Sequence, residues 1–359
     1  MRMLLAGGGT GGHLFPAVAL AQRLLETDPT AQVLFVGTEN GIEATVLPGL
    51  ELPLETIKIT GIAGRGWLER LRIVPALLHS VRQSLAILKK FQPDLVVGVG
   101  GYASGPALLA ARLARVPFLI HEQNAEFGLT NRFLARWAQR ICLSFPPPGD
   151  RLLRPKRTVV TGNPVRHGMS TVGPIPAEER TLLVFGGSRG AQAINDAVVA
   201  ALPELRQLCP ELRIIHQTGS ADYERIVAAY SALGLSTADL TPFLHDMTQA
   251  YAQAHLVLCR AGATTLAELT ATGRPAILIP YPYAAADHQT ANARILAEQG
   301  AALLLPQSQT TASTLATLLG NLLNDRPTLL RMGAISRSLG KLAAVDKLLA
   351  ECHSIARKG

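Results

Sequence analysis

Met3-Leu4-Leu5-Ala6-Gly7-Gly8-Gly9-Thr10-Gly11-Gly12-His13 opens the chain with an apolar run, a glycine turn and the start of a helix-period stretch. The run is short and does not alternate, the pattern of a parallel strand covered on both faces. Residues 13–26 follow as a helix, with Val18, Leu20, Ala21, Leu24 and Leu25 expected inward. Similar apolar runs at 33–36, 95–99, 118–121, 141–144 and 159–161 are separated by helical stretches. This alternation predicts an α/β fold with a doubly wound parallel sheet.

The rhythm breaks at Pro146-Pro147-Pro148-Gly149 and again at Gly162-Asn163-Pro164. It restarts with Leu182-Leu183-Val184-Phe185-Gly186-Gly187-Ser188-Arg189-Gly190-Ala191, a second strand, glycine loop and helix start, and continues through runs at 212–217, 256–259 and 276–280. At 359 residues the chain exceeds what one typical core supports. Two Rossmann-like domains are expected, over 1–161 and 177–340, joined by a linker at 162–176. A helix from about 341 closes the chain, and its expected place is back on the first domain.

The composition, 48% hydrophobic and 17% charged, is that of a soluble globular protein. A net charge of +8 favours anionic partners. The basic residues are dispersed and form no nucleic-acid motif, so nucleic acid is not an expected partner. Cys142, Cys209, Cys259 and Cys352 are far apart, without zinc or disulfide spacing, and read as free thiols. The glycines at 7–12 interrupt any signal-peptide core, and no apolar run reaches the about 18 residues of a spanning helix. The expectation is a protein neither exported nor membrane-spanning.

Gly7, Gly9 and Gly12 satisfy G-x-G-x-x-G between a strand and a helix, a turn that lets backbone approach a diphosphate. A nicotinamide site would want an acid at the end of the second strand. Glu39 is a poor candidate, so no such cofactor is expected. His13 stands at the helix start, where the positive end of the dipole keeps the imidazole neutral, as a general base requires. Gly98-Val99-Gly100-Gly101-Tyr102-Ala103-Ser104-Gly105-Pro106 is a second glycine loop, and His121-Glu122-Gln123-Asn124 closes another strand. Gly186-Gly187-Ser188-Arg189-Gly190 and Arg260-Ala261-Gly262-Ala263-Thr264-Thr265-Leu266-Ala267-Glu268 repeat the strand-to-helix design in the second half. Glu268 reads either as an acceptor for the ribose hydroxyls of a nucleotide or as an ordinary exposed helix acid. Asp-x-Asp is absent from the chain, so helix N-termini and a cation such as Arg166 are expected to meet phosphate charge, with no metal.

Taken in order, Gly8-Gly9-Thr10-Gly11-Gly12-His13-Leu14-Phe15-Pro16, Gly100 to Pro106, His121 to Asn124, Thr161-Gly162-Asn163-Pro164-Val165-Arg166, Gly186-Gly187-Ser188 and Arg260 to Glu268 resemble the peptidoglycan N-acetylglucosaminyltransferases that convert lipid I to lipid II. The resemblance implies a GT-B fold, two Rossmann-like domains facing a cleft, with UDP-N-acetylglucosamine as donor and lipid I as acceptor. It implies that Thr10, Gly11, Gly12 and Asn124 face the transferred sugar and that Arg166 and Ser188 lie near the diphosphate. The backbone of Leu244 would meet the uracil, Ala263, Thr264, Thr265, Leu266, Ala267 and Glu268 the phosphates and ribose, and Gln289 the sugar hydroxyls. The N-terminal glycine loops would also receive the acceptor's diphosphate. One departure is Arg189, where the family pattern expects glutamine.

The implied mechanism is inverting, with His13 taking the proton of the muramyl 4-hydroxyl. Because the acceptor's lipid tail stays in the bilayer, a peripheral position on the cytoplasmic membrane face is implied. Trp67, Leu71, Val74, Leu78, Val81 and Leu85, flanked by Arg65, Arg70, Arg72 and Arg82, form a basic amphipathic stretch suited to anionic lipid. Rival readings are a UDP-N-acetylglucosamine 2-epimerase, a glycolipid glycosyltransferase, or a non-catalytic nucleotide-sugar sensor, against which the loop histidine speaks.

Overall fold

The structure, a computed structural model, describes residues 1–59, 67–146, 153–177 and 179–357, with the helical backbone alone over 67–74. The chain forms two compact units, Met1–Arg166 with Leu342–Gly359, and His167–Lys341.

Among the described residues, the first unit holds seven parallel strands: β1 (Arg2–Ala6), β2 (Gln32–Gly37), β3 (Leu54–Thr56), β4 (Leu95–Gly98), β5 (Phe118–Glu122), β6 (Arg140–Leu143) and β7 (Thr158–Val160). Their order is β3-β2-β1-β4-β5-β6-β7. The second unit holds β8 (Thr181–Phe185), β9 (Arg213–Gln217), β10 (Leu240–Thr241), β11 (Leu256–Cys259), β12 (Ala276–Leu278) and β13 (Ala302–Leu304). Their order, β10-β9-β8-β11-β12-β13, repeats the first six strands of the seven-stranded sheet, β3 to β6, without a counterpart of β7. Both are doubly wound Rossmann-like sheets, as the alternating pattern predicted.

The apolar runs do not alternate because both faces of each sheet are covered. Met3, Leu5, Val33, Phe35, Leu95 and Val97 face one core with Leu14, Leu20 and Leu24 of the helix Gly11–Thr27. Leu4, Ala6, Leu34, Val36 and Val96 face the other. Of the helix residues expected inward, Leu25 is only half-buried. The terminal helix Ala344–Ile355 lays Leu348, Leu349 and Cys352 into the first of these cores. Arg23–Asp346 (2.7 Å) and Arg140–Glu351 (2.8 Å) flank it. Partly exposed pairs of this kind contribute about 0–1 kcal/mol each, against about 1.5–3 kcal/mol for a fully buried leucine. Apolar burial therefore holds the helix.

Three strands had no counterpart among the expected runs: β3, β10 and β13. All three are sheet edges of two or three residues. An edge strand is half-covered, so Leu54-Glu55-Thr56 and Leu240-Thr241 carry no continuous apolar signal. Nor does the pattern reveal Arg274, which is 1% exposed and donates to the carbonyls of Tyr251 (2.7 Å), Thr272 (3.1 Å) and Gly173 (3.1 Å).

The basic amphipathic stretch is the N-terminal part of the helix Trp67–Phe91. Arg65 and the side chains of Trp67, Arg70, Leu71, Arg72 and Val74 lie outside the described residues. Of the remainder, Leu78 is 56% exposed, while Val81 and Leu85 pack into the core. Among the described residues, no helix is long and apolar enough to cross a membrane.

Among the described residues, His121 in the first unit and His216 in the second are fully buried and uncharged. His216 on β9 accepts from the Tyr230 hydroxyl at Nδ1 (3.1 Å) and donates from Nε2 to Asn195 Oδ1 (3.1 Å). His121 on β5 donates from Nε2 to the Gly162 carbonyl (3.2 Å) and accepts from Gln123 at Nδ1 (3.1 Å). Burial pushes both down to about 4. Unfolded histidine titrates near 6.5, so between about pH 6.5 and 4 the unfolded chain binds more protons. Stability contributed by each neutral histidine is complete above about pH 6.5 and is lost on acidification, about 3 kcal/mol apiece by pH 4. Calorimetric melting should therefore fall steeply between pH 6.5 and 4.5. A His216→Gln chain should melt lower at pH 7.5 but lose less on acidification; identical pH slopes would contradict the assignment.

Candidate active site

In each sheet the strand order reverses beside the first strand, and at such a switch point ligands bind beyond the carboxyl ends of the strands. Here β1 lies beside β4, and β8 beside β11. All four strands run into the glycine turns singled out above, two at each switch point. The turns of the first unit interlock: a methyl on Gly7 would strike the Gly100 carbonyl, and one on Gly101 the Gly8 carbonyl. Backbone touches backbone there, at φ values of +147° for Gly7 and +81° for Gly101. Only glycine combines that conformation with that proximity.

His13 lies in the first turn of the helix Gly11–Thr27, behind Thr10 at the N-cap position. Its Nδ1 is 3.1 Å from Thr10 Oγ1. The opposite edge of the ring lies over Gly100, where an added methyl would come within 2.9 Å of Cδ2 and 3.1 Å of Nε2. The second glycine turn thus makes the seat for the imidazole. Gly11 and Gly12 are half-buried and Thr10 is exposed. Arg166, expected beside a diphosphate, stacks its guanidinium 3.8 Å over the ring of Phe15 on the same helix.

At the end of β5, Glu122 is buried, and burial raises its pKa against the hydrogen bonds that hold it. It accepts from Asn131 Nδ2 (2.9 Å), the Gly128 amide (3.0 Å) and the Asn124 amide (3.2 Å). Asn124 is half-buried, its side chain 3.4 Å from the same carboxylate. Asn131 also approaches Gly100. Thr10, Gly11, Gly12, His13 and Asn124 therefore gather around one switch point.

In the second unit, Ser188 is half-buried and Arg189 exposed on the turn after β8. The Gln217 side chain donates to the Gly187 carbonyl (2.7 Å) and accepts from the Leu244 amide (3.1 Å), tying that turn to the loop expected to meet a base. The Leu244 N–H is thereby engaged within the protein. The helix Ala263–Thr272 begins directly after β11. Ala263, Thr264, Leu266 and Glu268 are buried, and Thr265 and Ala267 half-buried. Glu268 is no ordinary exposed helix acid: it is 2% exposed and accepts from the Tyr251 hydroxyl at 3.1 Å. Gln289 Oε1 accepts from the Tyr281 amide (2.9 Å), across a loop where Ala286 and Asp287 adopt φ of +52° and +49°.

Gln217, Tyr251, Asn131 and Glu43 had no place in the expected site. Glu43 accepts from the Gly9 amide at 2.7 Å, so that N–H points away from any ligand. None of the four sits in a glycine motif; each reaches the site from a neighbouring strand or helix. Among the described residues, no three His, Cys, Asp or Glu side chains gather as a metal site.

Residues 3–143 match the model of the glycosyltransferase family 28 N-terminal domain, and residues 181–348 that of the family 28 C-terminal domain. A relative from Syntrophotalea carbinolica is 58% identical over 355 residues, covering 99% of this chain and 99% of its own. One from Pelobacter propionicus is 46% identical over 97% of this chain and 99% of its own. Both are named UDP-N-acetylglucosamine–N-acetylmuramyl-(pentapeptide) pyrophosphoryl-undecaprenol N-acetylglucosamine transferase. The crystal structure of Acinetobacter baumannii MurG is similar with a TM-score of 0.74 at 35% identity, over 98% of this chain and 99% of that one. A putative UDP-N-acetylglucosamine 2-epimerase from Listeria monocytogenes, at 14% identity and a TM-score of 0.67 over 97% of this chain and 94% of that one, shares the fold alone. The chain belongs to glycosyltransferase family 28, among the UDP-N-acetylglucosamine–N-acetylmuramyl-(pentapeptide) pyrophosphoryl-undecaprenol N-acetylglucosamine transferases.

Proposed function

We propose that the chain transfers N-acetylglucosamine from UDP-N-acetylglucosamine to the 4-hydroxyl of the muramyl sugar of lipid I, with inversion, forming lipid II in peptidoglycan synthesis. The epimerase alternative is not favoured, since its likeness is of fold only. The observation that carries the mechanism is the seat of His13, with Nδ1 on Thr10 and the far edge of the ring over Gly100. When Nδ1 keeps its proton and donates to Thr10 Oγ1, Nε2 bears the lone pair. Nε2 then takes the acceptor proton while the acceptor oxygen attacks the anomeric carbon and the bond to UDP breaks. The electron pair of that bond leaves on the β-phosphate. Thr10 sets the tautomer, and Gly100 leaves room for the ring.

In the second unit, charge on the departing diphosphate falls to Ser188 and to the N-termini of the helices Gln192–Leu208 and Ala263–Thr272. Glu268, aligned by Tyr251, accepts the ribose hydroxyls. The Leu244 carbonyl accepts the N3–H of uracil, and Gln289 reads sugar hydroxyls. In the first unit, Gly11, Gly12 and Asn124 border the transferred sugar, and Arg166 supplies a cation beside the His13 helix. No cofactor enters this scheme.

The acceptor is a lipid, and a cationic surface on the first unit suits a peripheral place on the cytoplasmic membrane face. Arg112, Arg115, Arg136 and Arg157 line a recess of about 460 Å³ with Trp137. Exposed Leu113 follows Arg112, and exposed Phe133 carries the Arg136 guanidinium at 4.2 Å. Basic groups interleaved with exposed apolar ones fit anionic headgroups over an acyl boundary.

Labelled N-acetylglucosamine supplied as the UDP-sugar should appear in lipid II with chelator present or absent. His13→Ala should lower kcat at least about a hundredfold, the range of general-base help, while UDP affinity changes little; near-normal turnover removes His13 from the role. The pair Arg112→Ser and Arg136→Ser should weaken binding to phosphatidylglycerol vesicles about fivefold per arginine, from about 1 kcal/mol each. Equal binding of the unaltered chain to neutral vesicles would count against the membrane face.

A further inference from the structure

Glu43 is an acid behind a turn whose expected business is with phosphate and sugar. It lies in the first turn of the helix Ile42–Gly49 and is 1% exposed. Among the described residues, no ion pair is made to it. Its charge is met instead by three donors: the Gly9 amide on Oε2 (2.7 Å), and the Thr38 amide (2.8 Å) and hydroxyl (3.0 Å) on Oε1. The space for the carboxyl is cut by glycines, since a methyl on Gly8, Gly37 or Gly41 would run into it. Three chain segments therefore converge on one carboxylate: the turn after β1, the end of β2 and the start of the helix Ile42–Gly49.

Such an arrangement is costly unless geometry depends on it. A buried carboxylate stands only when its lone pairs are matched by donors. The matched donor on the active-site side is Gly9, the residue before Thr10, and Thr10 touches His13. The Gly9 amide is also drawn to the interior, where it is of no use to an incoming anion.

We propose that Glu43 is a positioning residue for transfer: its carboxylate clamps Gly9 and thereby sets Thr10 and the His13 imidazole against Gly100. This rests on the reading of His13 as base for its kinetic consequence, but not for its structural one. A further consequence is that the segment Gly7–Gly9 acts as a strap and not as a phosphate cradle. An acceptor diphosphate in this unit is then left to amides after Gly9 and to the turn after β4.

The test uses Glu43→Gln in the full chain. The amide has one acceptor oxygen and an NH2 that cannot accept, so either Gly9 or Thr38 loses its acceptor. Misplacing a base by a fraction of its reach costs about ten- to a hundredfold in rate. The expected result is a fall in kcat of at least about tenfold, with the KM for UDP-N-acetylglucosamine unchanged. The same substitution in a His13→Ala chain should cost less than about twofold, because coupled residues are not additive.

A merely structural role lowers kcat by the same factor in both backgrounds, and that result overturns the proposal. An independent readout is the His13 ring resonance of the histidine-labelled protein. It should move in Glu43→Gln while that of His216 stays. An unmoved His13 resonance overturns the proposal whatever the kinetics. If His13→Ala turns over normally yet the resonance moves in Glu43→Gln, the positioning stands and only the assignment of the base falls.

Discussion

The structure depends on backbone meeting backbone in the turn that follows the first strand of each sheet. Gly7 against Gly100 and Gly101 against Gly8 leave no room for a side chain at the switch point of the first unit; in the second unit the turn after β8 meets the turn after β9 instead, Gly190 against Thr218 and Gly219 against Arg189. This proximity brings a strand end, a helix start and a neighbouring turn within one ligand's reach. It also explains why the chemistry can be carried by few side chains. Once the turns are locked, amides and helix ends supply most of the polarity, and His13 has a ready seat.

Charge is partitioned with the same economy. His121 and His216 are kept neutral by burial and complete hydrogen bonding, so they act as rigid posts between strands and loops. The carboxylates Glu43, Glu122 and Glu268 are each buried near a glycine turn or helix start, and each is held by amides, amide side chains or a hydroxyl. They organise donors and acceptors around the ligand sites. Two of them, Glu43 and Glu122, bind the protein's own amides and so fix the loops.

The glycine turns and the central strands were legible in the sequence because each is a contiguous signal: an apolar run, then residues that only a tight turn requires. The candidate residues Thr10 to His13, Ser188 and Ala263 to Glu268 lie in or beside those same turns, so their placement in the fold was readable with them. Edge strands β3 and β10 were not, since half-covered segments of two or three residues have no periodicity to read; β13 lies inside the apolar run Ala301-Ala302-Leu303-Leu304-Leu305 and did carry a local signal. Glu43, Gln217 and Tyr251 were hidden for a different cause. Each acts across a distance in sequence, Gln217 on Gly187 and Leu244, Tyr251 on Glu268, and nothing local marks such a reach. Leu244 was identified as a position, but its engaged amide is visible only in three dimensions.

The central claim is that amides at helix starts, without a bound cation, receive the donor's phosphates. It is tested most directly by following backbone amide resonances of glycine-labelled protein during titration with UDP in chelator. The account predicts shifts at Gly186, Gly187 and Gly262, with Gly9 unmoved because its amide is held by Glu43. Binding that appears only when a divalent cation is added, or shifts that leave those three glycines untouched, would contradict it.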